Sequence, residues 1–366
     1  MGQDVKLDDV AREAGVSIAT ASRALSGASR VSPETVRHVT EVARRLGYRV
    51  DKIARAMRAG TTRTAGMVVP IIANPFFAEL VGAVEGELHK HDFELLLADS
   101  QADVEQEAKR LNTLVERRVD GIFVVSQDSR SATAVELVQR SVPIVQVDRS
   151  IARIDADFVG IDNEMGVAMV LRHLAELGAR SVVLVSADDA NSVGRSRRRA
   201  FQRVSAELGL SVREPVIGAF DVDTGSRAAG VLLERGELPD AVVTGSDLIA
   251  FGVIAALREA GREVPGDVLV TGYDGNAMSG LYSPPLTTVH QPLGVIAREA
   301  VMFLMERLKE PGLPPRRMEV RPELIVRRST DGAPPRSAPD AAAAVDPARP
   351  GCHPGAPASG GRTRGR

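Results

Sequence analysis

The chain of 366 residues is poor in cysteine, aromatic residues and long apolar runs, and each shortage excludes a class of protein. Cys352 is the only cysteine, which excludes an intramolecular disulfide and a cysteine-based metal cluster. The sequence has no run of about 18 uninterrupted apolar residues, the length that suggests a membrane span. The N-terminal stretch MGQDVKLDDV also lacks the apolar segment of a signal peptide. We therefore expect a cytoplasmic protein that does not interact with membranes.

Aromatic residues make up 3% of the chain and tryptophan is absent, so any aromatic residue near a cleft is informative. The hydrophobic share of 44% and the charged share of 26% are typical of globular proteins with two or three folding units at this length. The net charge of −2 is unevenly distributed. Residues 1–60 carry 11 Lys and Arg against 7 Asp and Glu, so the remainder is net acidic by 6. A basic head on an acidic body is typical of a nucleic-acid binder with a separate sensing unit.

Two short helices joined by a glycine are predicted over Val5 to Leu25, VKLDDVAREAGVSIATASRAL. Gly15 is expected to end the first helix, and Ser17 is expected to cap a second helix from Ile18 to Leu25. This pattern is typical of a helix-turn-helix, whose second helix enters the major groove of DNA. A helical hairpin with only a packing role is the alternative. The apolar stripe of the first helix comprises Leu7, Val10, Ala11 and Ala14.

A third helix is predicted after Ser32, with Pro33 at its first position and Gly47 at its end. It supplies the apolar surface that the first two helices need, so the three helices are expected to form a small domain. The segment DKIARAMRA, from Asp51 to Ala59, is predicted to be one more helix, although isolated helices need roughly 12–15 residues. It is therefore expected to form only against a partner, such as its twin in a dimer or DNA. An apolar side chain on such a helix can wedge between base steps in the minor groove.

Short apolar strands alternate with amphipathic helices from Thr64 onward. Helices are expected over 77–91, 105–118, 163–177 and 196–208. Such alternation indicates parallel sheets covered by helices. Because the strands are too many for one sheet, we predict two doubly wound lobes with a ligand cleft beyond the carboxyl ends of the strands. The strand candidates are AGMVVPII, FELLLAD, GIFVVS, PIVQVD, SVVLVS, AVVTG and VLVTGYD.

Polar and aromatic side chains follow several of these strands. Carboxylates and arginines bind pairs of hydroxyls in fork geometry, and aromatic faces stack on sugar rings, so this composition suits a polyol. Each residue alone also has an ordinary interpretation, with Asp162 and Asp247 as helix caps and Phe76 and Phe77 as core residues. The residues at these strand ends are Asn74, Phe76, Phe77, Asp148, Arg149, Asp162, Asn163, Arg195, Arg197, Phe220, Asp221, Ser246, Asp247, Tyr273 and Asp274.

Residues 5–60 resemble the DNA-binding headpiece of the lactose/galactose repressor (LacI/GalR) family through VKLDDVAREAGVSIATASRALSG, VSPETV, LGYR and IARAMRAG. The resemblance implies that Ile18, Ala19 and Arg23 contact base edges. Met57 stands where the family usually has a leucine wedge in the minor groove, and a thioether of similar volume is expected to wedge as well. The predicted DNA-binding residues are Ser17, Ile18, Ala19, Thr20, Ser22, Arg23, Arg30 and Met57.

Residues 61–330 resemble the effector-binding core of the same family, which is itself similar to periplasmic sugar-binding proteins. The resemblance is carried by ANPFFAEL, RRVDGIF, PIVQVDR, VGIDNEMGV and ALREAGREVPGDVLVTGYD, among other segments. Ser246 stands where the family often has asparagine, and Ala200 stands where its Arg-x-x-Gly-Phe motif has glycine; both departures concern the identity of the effector. The effector-binding residues implied by position are Asn74, Phe76, Phe77, Asp148 and Arg149 on one lobe and Arg197, Phe220, Ser246 and Asp274 on the other.

The predicted fold is multidomain: an all-α helix-turn-helix headpiece (1–50), a hinge helix (51–60) and an α/β two-lobed, periplasmic-binding-protein-like core of parallel sheets (61–330). Lobe one is assigned to about 61–161 and 293–320, and lobe two to about 162–292 and 321–330. Residues 331–366 are dominated by Ala, Pro, Gly and Arg and are expected to be disordered. They contain no leucine for the heptad helix that pairs dimers in some relatives, so we predict a homodimer.

The main functional hypothesis is a repressor of carbohydrate-metabolism genes that binds a pseudo-palindromic operator in double-stranded DNA and is released by a sugar-type effector. A purine-like corepressor that tightens DNA binding is an alternative, because phenylalanines also stack on bases. A sugar-binding module without a DNA role is a further alternative. No nucleophile–base arrangement, dinucleotide glycine motif or metal-ligand spacing indicates an enzyme, and no cofactor is expected.

Overall fold

The computed structural model describes residues 5–25, 31–48, 61–236 and 238–331 of the chain. The first two ranges form three helices, α1 (Leu7–Glu13), α2 (Ile18–Leu25) and α3 (Pro33–Leu46). The predicted helix-turn-helix is confirmed, and α3 completes its core. The predicted hinge helix with Met57, the turn with Arg30 and the tail beyond 331 lie outside the described residues. The buried side chains that the three helices share are Val10, Ala11, Ala14, Ala21, Ala24, Val39, Val42 and Ala43.

Local sequence determines where these helices begin and end. Gly15 follows α1 with φ 65°, a left-handed conformation that glycine adopts without a Cβ clash. Ser17 Oγ accepts a hydrogen bond from the backbone N–H of Thr20 (3.1 Å) and so caps α2. Ser32 caps α3 in the same way, with Pro33 at the first helical position. The turn between α1 and α2 is therefore specified by Gly15 and Ser17, and the start of α3 by Ser32 and Pro33.

Strands and helices alternate through the rest of the described chain. The strands are β1 (Thr64–Val69), β2 (Glu94–Asp99), β3 (Gly121–Val124), β4 (Ile144–Val147), β5 (Asp157–Ile161), β6 (Ser181–Ala187), β7 (Ser211–Val212), β8 (Val216–Gly218), β9 (Ala241–Thr244), β10 (Leu269–Asp274), β11 (Thr287–His290), β12 (Arg317–Val320) and β13 (Glu323–Ile325). The helices are α4 (Pro75–His89), α5 (Val104–Glu116), α6 (Ala132–Gln139), α7 (Asn163–Glu176), α8 (Ser192–Glu207), α9 (Val222–Glu234), α10 (Asp247–Glu259), α11 (Ala277–Leu281) and α12 (Leu293–Lys309).

The strands form two sheets, which confirms the predicted pair of α/β lobes. The sheet of lobe one has the order β12-β5-β4-β3-β1-β2, and its strand pairs are all parallel. The sheet of lobe two has the order β13-β11-β10-β9-β6-β7, with β8 also pairing with β6, and only the β11–β13 pair is antiparallel among the described strands. Helices cover both sheets, so the central strands are apolar and almost continuously buried, whereas β2, β7, β8, β12 and β13 toward the edges are partly exposed.

Two helices begin earlier than the sequence pattern predicts, because an amide side chain caps each of them. Helix α4 starts at Pro75, since Asn74 Oδ1 accepts a hydrogen bond from Phe76 N (3.0 Å). Helix α8 starts at Ser192, since Asn191 Oδ1 accepts from the N–H groups of the first turn. No helix among the described residues is both long and apolar enough to cross a membrane.

The chain passes between the two sheets three times, and each connection is one or two residues long. Asp162 links β5 to α7, Gln291 and Pro292 link β11 to α12, and residues 321–322 link β12 to β13. The first and third connections are joined, because Asp162 N donates a hydrogen bond to Val320 O (2.9 Å). The lobes are therefore tethered along one side, and the carboxyl ends of β4 and β10 face the cleft between them.

The close approach of α9 and α10 requires glycine at the crossing point, which gives a stability prediction. A Cβ added at Gly252 of α10 overlaps the backbone carbonyl of Val222, whereas one added at Gly230 of α9 meets no atom within 4 Å. We expect Gly252→Ala to lower the free energy of unfolding by about 1–3 kcal/mol or more. Gly230→Ala should raise it by up to about 1 kcal/mol, since alanine favours a helix. Urea unfolding of both variants tests this pair, and equal midpoints would contradict it.

Candidate functional site

The predicted DNA-contact residues in and just before α2 are exposed or half-buried. Ile18 is 52% exposed at the first position of α2, a large apolar side chain without cover in the isolated chain. Arg23 lies further along the same helix, where its Nε donates a hydrogen bond to the carbonyl of Ala19 (3.1 Å). Of the remaining set, Ser17 and Ala19 are exposed, and Thr20 and Ser22 are half-buried.

In the cleft, two aspartates with positive φ stand at the carboxyl ends of strands from different lobes. Asp148 follows β4 with φ 62°, and Asp274 ends β10 with φ 121°. Positive φ in a residue other than glycine stores strain of order 1–3 kcal/mol and is concentrated at ligand sites. Both carboxylates are buried. Burial raises the pKa of Asp148, and the positive charges of Arg149 and Arg197 offset part of this rise. Burial and the nearby Asp247 raise the pKa of Asp274.

Arg197 of α8 is the buried cation close to both carboxylates. Its Nε donates to Asn163 Oδ1 (2.8 Å), and its Nη1 donates to the backbone carbonyl of Gly245. Its guanidinium carbon lies 3.4 Å from the ring centroid of Tyr273 and 5.8 Å from that of Phe220. Burial raises the pKa of Tyr273 to about 12, so its phenol stays protonated. Arg197 is held in one orientation by these contacts and by its stacking.

Arg149 supplies the second buried cation, from lobe one. Its guanidinium carbon lies 5.5 Å from the ring centroid of Phe77, and its Nη1 donates to the main-chain and side-chain oxygens of Gln127 (both 3.3 Å). Its Nε has no hydrogen-bond partner and lies 3.9 Å from Asp148 Oδ2. Gln127 is held in turn by Glu107, whose Oε2 accepts from Gln127 N (2.6 Å). Burial raises the pKa of Glu107 to about 7.

On lobe two, Asp274 and Asp247 are held by neighbouring polar groups. Gln291 Nε2 donates to Asp274 Oδ1 (3.0 Å), whereas Gln291 Oε1 has no hydrogen-bond partner. Asp247 accepts hydrogen bonds from Thr288 Oγ1 (2.5 Å) and from the N–H of Asn276 (3.1 Å). Burial raises the pKa of Asp247 to about 7. Arg149 Nε, the Tyr273 hydroxyl and Gln291 Oε1 are buried without a hydrogen-bond partner, and an unpartnered buried polar group marks a candidate ligand contact.

Several residues of the predicted effector set also have structural roles. Asn74 caps α4, and Ser246 caps α10 by accepting from Ile249 N (3.3 Å). Phe76 and Phe77 belong to the core of lobe one. Asp162 caps α7 as its ordinary interpretation expects, but Asp247 is not the cap of α10, because Ser246 occupies that position. The structure thus groups Asp148, Arg149, Arg197 and Asp274 with Phe77 and Phe220, beside two capping residues.

Two cavities open beside this cluster. The larger cavity, of about 580 Å³, is lined by Asp148, Asp162 and Asn163 among other polar residues. The smaller cavity, of about 320 Å³, includes Arg149 in its lining. Both include Ser150 and Ser192, which join the lobes through a hydrogen bond from Ser150 N to Ser192 Oγ (3.1 Å). No group of three or more His, Cys, Asp or Glu in the described ranges is arranged to hold a metal ion.

Tyr273, Gln291 and Glu107 belong to this site but were not in the predicted effector set. Tyr273 precedes Asp274 at a predicted strand end, so its proximity could be read from the sequence. Glu107 shares the buried stripe of α5 with Leu111 and Leu114 at helical spacing, and an acid in such a stripe indicates a buried carboxylate. Gln291 has no local pattern of its own, because its role depends on how β11 lies beside β10.

Comparison with protein families and with curated proteins gives matches over both parts of the chain. The family model for bacterial regulatory proteins of the lacI family matches residues 6–51, and that for a periplasmic binding protein-like domain matches residues 171–330. The HTH-type transcriptional repressor PurR of Actinobacillus pleuropneumoniae serotype 3 (strain JL03) is 32% identical over 328 residues. This alignment covers 88% of the present chain and 97% of that repressor.

Solved structures show the same architecture. The lac repressor dimer bound to operator and the anti-inducer ONPF has a TM-score of 0.82 at 24% identity, covering 90% of this chain and 99% of that one. The complex of the transcriptional regulator CelR with cellobiose has a TM-score of 0.67 at 29% identity, with 89% and 99% covered. Together with the identity to PurR over most of both chains, these matches show that the chain belongs to the lacI family of bacterial regulatory proteins.

Proposed function

We propose that this protein is a homodimeric, effector-responsive repressor of transcription that binds a pseudo-palindromic operator. The observation that carries this proposal is the presence in one chain of an exposed recognition-helix surface and a cleft with unpartnered buried polar groups. A ligand that binds one arrangement of the two lobes more tightly than another shifts the equilibrium between them. The hinge helix predicted over 51–60 would carry that shift to the headpiece. Catalysis and a bound cofactor form no part of the proposal.

On the DNA side, α2 is proposed to lie in the major groove with Ile18, Ala19 and Arg23 at base edges. Exposure of Ile18 supports this, because an apolar side chain there is suited to a thymine methyl group. Met57 is proposed as the minor-groove wedge, and Arg30 completes the predicted set; both lie outside the described residues.

On the effector side, the ligand is proposed to bind between the two lobes, at the buried charged cluster. The unpartnered Arg149 Nε, which borders the smaller cavity, supports this, and the unpartnered groups of Tyr273 and Gln291 are proposed as further contacts to hydroxyl groups or base edges. Phe77 and Phe220 stand beside the two arginines, where they can cover the flat face of a ring. The proposed effector-binding residues are Asn74, Phe76, Phe77, Asp148, Arg149, Arg197, Phe220, Ser246 and Asp274.

A sugar-type effector that releases the operator is our first choice. Carboxylates and arginines in fork geometry suit vicinal hydroxyls, and the solved structure of the similar regulator CelR is a complex with cellobiose. The likeness to repressors named PurR supports the alternative of a purine-like corepressor that tightens DNA binding. Genes of carbohydrate metabolism are the proposed targets in the first case. Both alternatives use the same cleft and differ in the sign of the response.

A homodimer is supported by exposed apolar side chains on lobe two. Leu281 is 80% exposed and Met278 is 50% exposed on α11, next to the stacked rings of Phe251 and Tyr282. Large apolar side chains grouped on a surface mark an interaction site. The related lac repressor is a dimer in its operator complex. We propose a cytoplasmic location, as for any regulator that acts on chromosomal DNA.

We expect Arg23→Ala to weaken binding to promoter DNA from the gene's own neighbourhood by about 1–3 kcal/mol and to reduce discrimination against scrambled DNA. The reason is that a base-edge contact carries sequence information. Arg12→Ala removes the same charge from α1, where Arg12 pairs with Asp8. This variant should lower the affinity for promoter DNA and for scrambled DNA equally, and by less than Arg23→Ala lowers the affinity for promoter DNA. Fluorescence anisotropy with both duplexes measures this, and equal discrimination in the two variants would contradict the assignment of Arg23.

The effector is identified by a thermal-shift screen of the full chain against sugars, sugar phosphates and nucleobases, repeated with the promoter DNA. A ligand that binds only the folded state raises the melting temperature by mass action. A sugar that stabilises the protein and releases the DNA supports the inducer mechanism, and a nucleobase that tightens DNA binding supports the alternative. Absence of DNA binding in every condition would overturn the proposed function.

A further inference from the structure

The smaller cavity differs from the rest of the cleft in its lining, which is rich in arginine and serine. Asp128 is the only carboxylate among the described residues that line it. This carboxylate is already bound, because Arg130 donates to it through Nε and Nη2 over 2.6–3.1 Å. The lining itself is therefore net positive, although two carboxylates outside it lie near its arginines: Asp148 is 3.9 Å from Arg149 Nε, and Glu136 is 3.7 Å from Arg153 Nε. Its arginines and serines are Arg149, Arg153, Arg195, Ser126, Ser129, Ser150 and Ser192.

Two buried polar atoms of this lining lack a hydrogen-bond partner. Arg149 is 7% exposed and its Nε is unpaired, and Ser126 is 1% exposed and its hydroxyl is unpaired. A buried donor without a partner destabilises the fold unless a ligand or water supplies an acceptor. An acceptor placed in the cavity would satisfy both groups, so they point to a ligand.

The N-terminus of α8 lies at the same cavity. Ser192 is the first residue of this 16-residue helix, and Asn191 caps it by accepting from the N–H groups of Val193 and Gly194. The positive end of the helix dipole favours an anion at this position. Arg195, one turn into the same helix, adds its own charge to the cavity.

We propose that the smaller cavity binds a tetrahedral oxyanion, either free phosphate or the phosphoryl group of a phosphorylated effector. Its three arginines come from two segments, Arg149 and Arg153 from the connection between β4 and β5 and Arg195 from α8. An arginine fork donates paired hydrogen bonds to phosphate oxygens. A neutral sugar or base does not balance the positive charge there. The forks are partly positioned already, because Arg153 Nη2 donates to Thr133 Oγ1 (3.3 Å) and Arg195 Nη1 donates to the carbonyl of Asp189.

The two cavities share Ser150 and Ser192, so one molecule can occupy both. A ring that contacts Asp148 in the larger cavity would place its phosphoryl group among the arginines. This form of the inference rests on the proposed effector function. Binding of free phosphate does not, because it requires neither an effector nor DNA.

The test is a titration of the full chain with inorganic phosphate, with chloride at equal ionic strength as the reference, followed by calorimetry and by melting temperature. We expect saturable stabilisation by phosphate and at least a tenfold loss of affinity in Arg153→Gln/Arg195→Gln. Arg117→Gln/Arg298→Gln removes the same charge from the surface elsewhere and should bind phosphate like the wild type. Ser126→Ala, which removes only the unpaired hydroxyl, should lose a smaller part of the affinity.

Stabilisation by phosphate no greater than by chloride would overturn the proposal, as would equal binding by the two double variants. The melting temperatures without phosphate show whether each variant is folded. A second titration compares glucose with glucose 6-phosphate and adenine with AMP. Tighter binding of a phosphorylated compound than of phosphate and of its neutral parent assigns the phosphoryl group of an effector to the cavity. If the phosphorylated compounds bind no tighter than phosphate, the smaller cavity binds a free anion. The proposed function is tested separately, by the binding of the full chain to promoter DNA.

Discussion

Replacement of Arg197 by methionine is expected to abolish effector binding while leaving the affinity for operator DNA unchanged. The variant leaves Asn163 Oδ1 and the Gly245 carbonyl without their donor. It also removes the cation that lowers the pKa values of Asp148 and Asp274, so burial raises both further. Truncating one member of a buried, hydrogen-bonded charge pair at a binding site costs about 2–5 kcal/mol of binding free energy, which is a loss of affinity of about thirtyfold or more. If the effector is an inducer, the variant should then stay on its operator at effector concentrations that release the wild type.

Calorimetry with the effector from the screen and anisotropy with operator DNA measure the two affinities separately. Arg199→Met is the matched control, because Arg199 is exposed on the same helix. Arg197→Lys keeps the charge without the planar fork and should bind the effector with intermediate affinity. Melting temperatures of all three variants separate a local effect from unfolding. Effector affinity within threefold of the wild type in a folded Arg197→Met protein would exclude Arg197 from the site.

The second large effect is expected at Glu107, where stability should depend on pH. The pKa of this carboxyl is raised by burial from 4.5 to about 7. Between these values the folded protein keeps a proton that the unfolded chain releases, so the free energy of unfolding falls as the pH rises. Glu107→Gln mimics the protonated form and can still accept the hydrogen bond from Gln127. The substitution should therefore leave the free energy of unfolding almost unchanged at pH 5 and raise it by up to about 3 kcal/mol at pH 8.

Chemical denaturation of Glu107→Gln and the wild type at pH 5, 6, 7 and 8 measures the difference between them. The difference between variant and wild type is used because other groups also make stability depend on pH. Asp247, whose pKa is raised, lowers the free energy of unfolding as the pH rises, and His173, whose pKa is lowered by burial, increases it. Both contributions are common to the two proteins and cancel in the difference. Glu105→Gln is the control, since Glu105 is exposed on the same helix. A pH-independent difference between Glu107→Gln and the wild type would show that Glu107 is ionised throughout this range.

Most of the architecture could be predicted because its determinants are local. Gly15 and Ser17 specify the turn of the helix-turn-helix, and alternating apolar strands and amphipathic helices specify parallel sheets. The starts of α4 and α8 were misplaced by two and four residues, because Asn74 and Asn191 extend each helix backwards. Capping by a side chain is a single-residue event that hydrophobic periodicity does not reveal.

The site could be predicted only in part, because proximity across two lobes is a property of the tertiary structure. Strand ends directed attention to Asp148, Arg149 and Asp274, which lie close together in the cleft, since the carboxyl ends of parallel strands share one edge. Position at a strand end does not distinguish a residue that binds a ligand from one that caps the next helix, and Ser246 caps α10. Gln291 was missed because it lies on a connection between lobes, where neither strand nor helix periodicity applies.

The three short connections between the lobes restrict the relative motion of the lobes. Two bodies joined at three closely spaced points on one side lose their translational freedom and keep essentially one rotation, an opening and closing about the line through the connections. Gln291 lies on that line and also binds Asp274. Atoms on that line move least when the lobes rotate, so Gln291 can keep its hydrogen bond to Asp274 while the far edges of the lobes move the most.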